Sequence, residues 1–352
     1  MKGQKALAFI AILLIAVGIT GNKIATSPSE VIPDEKPVAT ERPIRTLTVT
    51  ATGDCTFATD VNASRELGFV AYAERYGTDW FFQNVRDIFD EDDLTIVNFE
   101  GTLSDRGERE IKQFAFRGDP EYVNALTGVE AVNLANNHSM DYGEISLDDT
   151  KKYLDEKGIV YCRGKADVAV EEINGIKVGL VGINYLNDVM RTELVDAIDK
   201  AKDKGAELII LSIHWGVEKA TAPNQDQIDA AYTAIDNGVD LVIGTHPHVL
   251  QGFEKYKGKY ICYSLGNFSF GGNNAPADMD TAIFRKTFTI QGDKLLDDDA
   301  IEIIPCRISS ADGYNNYQPT PATGQQRQRI IDRLTSYTEN LGDLELNFRL
   351  AF

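Results

Sequence analysis

Four histidines occur in 352 residues, and each sits in a short polar cluster that follows an apolar, strand-like run. His138 closes Ala131-Val-Asn-Leu-Ala-Asn-Asn-His138, His214 closes Leu208-Ile-Ile-Leu-Ser-Ile-His214, and His246 and His248 follow Leu241-Val-Ile-Gly-Thr245. Two acids repeat the placement: Asp54 after Leu47–Gly53 and Glu100 after Leu94–Phe99. Singly, each signal has an ordinary reading. His246-Pro-His248 also fits a surface turn, His214 a hydrogen-bonded core residue, and Asp54 a turn or helix cap. Their conjunction points elsewhere, because the crevice outside the carboxyl ends of the strands is where an open α/β sheet binds ligands. Neutral imidazole is the commonest metal ligand, and two histidines at i and i+2 on an extended segment share a face. A set of imidazole, carboxylate and amide oxygens suits Mn, Fe or Zn. Six candidates exceed the needs of one catalytic zinc, so the pattern predicts a two-ion site. Such a pair, roughly 3.5 to 4 Å apart, clamps the oxygens of a phosphoryl displacement.

These residues need a scaffold of alternating strands and helices, and from Thr46 onward the pattern supplies one. Leu47, Val49 and Ala51 alternate with threonines as a half-buried strand. The spacing of Phe82, Val85, Ile88 and Phe89 predicts a helix over Trp80–Phe89, before a strand at Leu94–Asn98. Helices are expected over Glu144–Lys157, Val189–Lys204 and Gln225–Asn237, each stopped by a glycine or just before one. Strands are expected at Ile159–Tyr161, Ile176–Ile183, Leu208–Ile213, Leu241–Ile243 and Tyr260–Tyr263. The expected fold class is α/β with a mainly parallel sheet. Beyond it, Asn267–Asn274 reads as a Gly- and Asn-rich loop, Ala282–Gln291 and Ala300–Ile304 as paired strands, and Gln325–Asn340 as a final helix.

The chain carries 35 basic and 54 acidic residues, a net charge of -19. Affinity for a phosphate backbone needs clustered Lys and Arg, so nucleic acid is excluded as the expected partner. The acidic field favours divalent cations over polyanions. Lys2 and Lys5 precede an uncharged apolar stretch, Ala6–Ile19, which reads as an export signal or a slightly stretched membrane anchor spanning residues 1–21. Residues 22–45 hold four prolines and no apolar periodicity, the composition of a disordered linker. An extracytoplasmic location, membrane-anchored or secreted, follows as the expectation. Of the four cysteines, Cys55 and Cys262 read as buried free thiols, and Cys162 with Cys306 stands as a candidate disulfide.

Thr52-Gly-Asp54, Val97-Asn-Phe-Glu100, Asn133-Leu-Ala-Asn-Asn-His138 with Asp141-Tyr-Gly143, His214-Trp-Gly-Val-Glu218, Gly244-Thr-His-Pro-His-Val249 and Tyr263-Ser-Leu-Gly-Asn-Phe268 occur in that order. Together they resemble the CapA capsule-synthesis family, associated with poly-γ-glutamate biosynthesis. Phe116-Arg-Gly-Asp-Pro120 adds to the likeness. The resemblance covers residues 46–310, with 311–352 left as a helical extension on the same domain. That family is similar to the calcineurin-like metallophosphoesterases, which implies a four-layer α/β/β/α sandwich. It also implies divalent metal ligands at Asp54, Glu100, Asn137, His214, His246 and His248. His138, with Asp141 beside it, is implied as the catalytic acid for the leaving oxygen. Arg117, Asn136, Glu218 and Asn267 are candidates on the substrate side. Asn136, Asp141, Glu218 and Asn267 are also placed to orient ligands. Arg117 equally fits an ordinary surface arginine, and Asp141 and Glu218 solvated loop charges.

The sequence departs from the phosphoesterase pattern twice. Cys55-Thr56 follows Asp54 where that pattern has Asp-x-His, and Asn98-Phe-Glu100 stands where an acidic bridge belongs. Three functions follow as expectations: a metal-dependent, phosphoesterase-type hydrolase acting on an anionic capsule polymer or its precursor; a non-catalytic membrane-tethered subunit of a polymer synthase; and a metal-dependent γ-glutamyl amide hydrolase.

Overall fold

The computed structural model describes residues 43–63, 66–296 and 300–349, so the expected export segment and most of the linker lie outside the described residues. Residues 42–352 form one compact unit. It is an α/β fold built on two large sheets. The first strand begins at Ile44, two residues inside the expected linker.

In the first sheet, Ile44–Thr56 pairs in parallel with Leu94–Phe99, which pairs with Ala131–Asn133, which pairs with Val160–Cys162. On its other side Ile44–Thr56 runs antiparallel to Asp280–Gln291, itself antiparallel to Ile301–Arg307. This sheet is therefore mixed, not mainly parallel as expected. The second sheet has four parallel inner strands, Lys259–Cys262, Leu241–Thr245, Leu208–His214 and Ile176–Asn184, with antiparallel edges at Phe253–Tyr256 and Ala169–Ile173.

Strands covered on both faces must be apolar at every position, and successive side chains then serve different cores. Ile96 and Ile210 join a core that collects Leu47, Val49 and Ala51 from the first sheet and Val178, Leu208 and Leu241 from the second. Their neighbours Val97 and Leu211 point the other way. Val97 meets an aromatic cluster of Phe57, Phe69, Phe82 and Phe99 together with Leu147 and Leu154 of the helix Glu144–Lys157. Leu211 meets Leu194, Ala197 and Ile198 of the helix Leu194–Asp203 and Ala230 and Ala234 of the helix Gln225–Asp236.

Three expected elements differ. Trp80–Phe89 is not one helix but a 3-10 turn at Thr78–Trp80 and a single turn at Arg86–Phe89. Phe81 stacks on Phe69 with ring centroids 3.9 Å apart, and adjacent Phe82 is buried against Phe57 and Phe89. The Trp80 carbonyl accepts from Gln318 Nε2 at 3.0 Å, taking an acceptor a helix would use internally. Val189–Lys204 splits into Asp188–Thr192 and Leu194–Asp203 around Glu193, whose carboxylate accepts from the Lys165 backbone N–H. Asn267–Phe270, expected as loop, is a strand parallel to the end of Ile44–Thr56. Gly53 permits that approach: a Cβ there would lie 1.9 Å from the Gly266 carbonyl oxygen.

All four cysteines are buried free thiols, so Cys162 and Cys306 form no disulfide. They lie five strands apart, about 24 Å at ordinary strand spacing. The C-terminal helix, Gly324–Glu339, anchors Arg329 and Arg333 on Asp278 and Asp280. No helix among the described residues is long and apolar enough to cross a membrane.

Candidate metal centre and its cavity

Strand register sets the site. Asn267, Asp54, Asn98 and Asn133 stand opposite one another across four neighbouring strands of the first sheet. Asn184, His214 and Thr245 form the matching row on the second. All but Asn267, which opens its strand, lie at the carboxyl ends of parallel strands, where the chain turns away and side chains from distant segments converge.

Asn98 is the hub of the buried part. Its Nδ2 donates to Asp54 Oδ1 at 2.8 Å and to Glu100 Oε1 at 3.3 Å, and lies 3.3 Å from His214 Nδ1. Its Oδ1 accepts from Asn133 Nδ2 at 3.1 Å and Asn136 Nδ2 at 3.3 Å. Asp54 Oδ2 accepts from the His246 backbone N–H and lies 3.2 Å from His248 Nδ1. His214 Nε2 is 2.8 Å from Asn137 Oδ1 and 3.4 Å from Glu100 Oε1. One ligand atom each from Asp54, Glu100 and His248 lies within 4.8 Å of the other two.

Contrary to the expected extended segment, His246 and His248 have φ of 96° and 57° on either side of Pro247. Each such non-glycine conformation costs on the order of 1 to 3 kcal/mol and persists where the surrounding structure over-determines it. Here it turns the His246 ring to 4.7 Å from His214 and 5.7 Å from His248.

The donor chemistry fits a cation. Glu100 Oε2 and His246 Nδ1 are buried without a hydrogen-bond partner, although a buried polar atom left unpaired costs about 1 to 3 kcal/mol. Burial and the nearby Asp54 charge hold the Glu100 carboxyl well above its usual range. Burial holds His214 far below the usual imidazole value, and burial with the His248 charge takes His246 down to about 4. Burial acts downward on His248 too, but the Glu100 charge and the Asp54 hydrogen bond outweigh it and push the group up to about 10. Two neutral imidazoles, His214 and His246, beside two buried carboxyl groups, with lone pairs unspent on Glu100 and His246, are donor types that a hard or borderline divalent ion takes.

Above this cluster, His138, Glu218, His248 and Asn267 line one cavity of about 780 Å³. His138 Nδ1 lies 2.7 Å from Asp141 Oδ2, which leaves Nε2 as the ring nitrogen available to a ligand. Asp141 is fully buried; it also accepts from the Phe116 backbone N–H and is paired with Lys112 Nζ. Asn267 orients His248, with Oδ1 at 2.9 Å from Nδ1. Asn136 is buried beneath the cavity and donates to the Phe99 carbonyl while accepting from the His138 N–H, which fixes the His138 loop and leaves little for a substrate. Arg117 lies elsewhere. Its guanidinium sits 4.1 Å over the Tyr142 ring and bonds the carbonyls of Arg106 and Gly107, so it does not line the cavity.

The arginines that do line it are Arg307, Arg329 and Arg333, which sequence reasoning missed. It missed Lys112 as well. Lys112, Arg329 and Arg333 had no local signal, since their partners Asp141, Asp280 and Asp278 are 29 to 55 positions away. The roles of Asn98 and Asn133 were foreshadowed by an amide inside each apolar strand run.

Comparison with known proteins places this geometry in context. Residues 48–272 match the family model described as bacterial capsule synthesis protein PGA_cap. The chain is 29% identical to the capsule biosynthesis protein CapA of Bacillus anthracis over 94% of its own length and 81% of that protein. It is 32% identical to the PGA biosynthesis protein CapA of Bacillus subtilis over 56% of this chain and 58% of that one. A probable polyglutamine synthesis accessory protein of Mycobacterium tuberculosis is 28% identical over 50% of this chain and 55% of its own. Among solved structures, a hypothetical protein from Thermus thermophilus aligns with a TM-score of 0.47 at 16% identity, covering 74% of this chain and 98% of that one.

Proposed function

Because this chain belongs to the bacterial capsule synthesis protein family PGA_cap, we propose that it is a metal-dependent hydrolase of capsule assembly, working outside the cytoplasm on a poly-γ-glutamate-type polymer or its precursor. The two facing sheets with helices on their outer sides support reading the fold as the four-layer sandwich of the metallophosphoesterases. The observation that carries the proposal is the convergence of Asp54, Glu100 and His248, with Glu100 Oε2 and His246 Nδ1 buried and unpartnered.

Asp54, Glu100 and His248 would hold a divalent ion (Mn, Fe or Zn), and Asn137, His214 and His246 would be left to hold a second. When bound, such an ion supplies Lewis acidity toward a phosphoryl or carbonyl oxygen and makes water a better nucleophile near neutral pH. The protein's own part is positional and acid-base. Asp141 fixes the His138 ring through Nδ1, so that Nε2 is the nitrogen that can give a proton to the departing oxygen or nitrogen. Lys112 and the Phe116 N–H hold Asp141 in place, and Phe116, with its ring 4.6 Å from that of His138, closes one side against water.

The test uses His138→Ala. It should retain bound metal while losing turnover by about 10² to 10⁴-fold on phosphoesters or γ-glutamyl amides. Loss of metal on that substitution would remove His138 from its role as acid. One observation favours a second reading, a tethered, non-catalytic subunit of a polymer synthase. At the position of the acidic bridge, Asn98 presents an amide donor to Asp54 and Glu100 instead of a ligand oxygen. That reading predicts polymer binding without turnover. The apolar N-terminal segment supports membrane attachment in either case.

A further inference from the structure

The cavity is lined by chemically different groups. His138, His248 and Asn267 belong to the site above, with Phe116 packed on His138 and Phe270 on His248; Arg307, Arg329 and Arg333 line it as well. In a chain of net charge -19, three guanidinium groups facing one cavity stand out. We propose that these arginines form a subsite for a carboxylate-bearing segment of an extended ligand, positioned so that a bond elsewhere in the same chain reaches His138. The proposal rests on the site reading above and adds the residues that recognise the ligand's acid groups.

The arginines are pre-set for the task. Arg333 is forked on Asp278 and also reaches Asp280, and Arg329 engages Asp280 through Nε and Nη2, which leaves its Nη1 uncommitted among the described residues. Asp278 and Asp280 neutralise two of the three positive charges. The partner of Arg307, Asp312, is 88% exposed, and such a pair is weak because water screens it. Glu218 and Lys219 line the cavity as an opposed pair of charges, so Arg307 is the guanidinium there with least compensation. Side chains held by fixed partners lose less rotamer freedom when a ligand arrives, which favours binding. A guanidinium fork matches a carboxylate in two parallel bonds, and the phenyl rings accept the methylenes between successive acid groups. All three arginines lie beyond residue 272, where the family match ends. The C-terminal part thus adds ligand recognition to the shared metal core.

The test is binding of fluorescent penta-γ-glutamate to the full-length chain, in chelator and again in Mn²⁺. It is compared with the penta-γ-glutamine amide and with a glycerol-phosphate oligomer. Preference for the acid over the amide, falling with salt, is expected. Arg329→Gln should weaken the acid about tenfold, and Arg329→Lys should recover only part of that, because an ammonium lacks the fork. Arg307→Gln serves as the second variant, with urea midpoints reporting that each protein is folded. Equal affinity for acid and amide, preference for the phosphate oligomer, or unchanged affinity in both glutamine variants would overturn the proposal. Arginine-dependent binding in chelator without turnover in Mn²⁺ would uphold the subsite while removing the hydrolase reading.

Discussion

Replacing Asn98 by alanine tests whether the amide hub holds the ligand cluster. Asn98 is 1% exposed and makes contacts with five side chains, so Asn98→Ala takes the amide donor from Asp54 Oδ1 and Glu100 Oε1 and the acceptor from Asn133 Nδ2, while Asn136 keeps only the Phe99 carbonyl. Each stranded buried group costs about 1 to 3 kcal/mol, though water entering the vacated volume and proton uptake by Glu100 offset part of this. A net loss of about 3 kcal/mol is expected, a sizeable part of a total stability of about 5 to 15 kcal/mol. With a urea slope of about 3 kcal/mol per M, the midpoint in chelator should fall by about 1 M. Saturating Mn²⁺ should shrink that difference, because a cation on Asp54 and Glu100 replaces the lost donor. A midpoint shift below about 0.3 M in chelator would refute the hub, the slope being as above.

Cation affinity should rise with pH between about 6 and 9, since Glu100 and His248 hold protons more tightly than usual in the cation-free site and must release them to bind. Titration calorimetry in two buffers of different ionisation enthalpy would read that release, and zero protons released would contradict it. The Asp280 carboxyl is opposed by burial but held below its ordinary value by Arg329 and Arg333. A depressed carboxyl contributes stability above its unfolded value of about 4, and loses it as pH falls through that value and below. Asp280→Asn should therefore flatten the loss of urea stability between about pH 5 and pH 3; an unchanged acid slope would count against the clamp.

Much of the scaffold was legible because strands and helices here follow simple rules. Glu144–Lys157 is a helix over the expected residues, and Ile176–Asn184 extends the expected strand by one residue. The failures share a cause. Trp80–Phe89 has helical spacing but is reshaped by aromatic packing and by Gln318, 238 positions away. Asn267–Phe270 looks like a loop by composition yet pairs with the first strand, because Gly53 lets the backbones approach. In the site, strand-end placement pointed to Asp54, Glu100 and the histidines, since a sheet puts all such ends on one side. The turned backbone of His246 and His248, the displacement of Arg117 onto Tyr142 and the arginines of the cavity depend on tertiary contacts with no periodic trace in the chain.

The central claim is that Asp54, Glu100 and His248 hold a divalent cation, and elemental analysis of the purified protein beside His248→Ala and Asp54→Asn tests it most directly. One or two equivalents of Mn, Fe or Zn in the parent, lost in both variants while they remain folded, is the predicted result. A folded parent that carries no metal and takes up none on dialysis against Mn²⁺ or Zn²⁺ would contradict it.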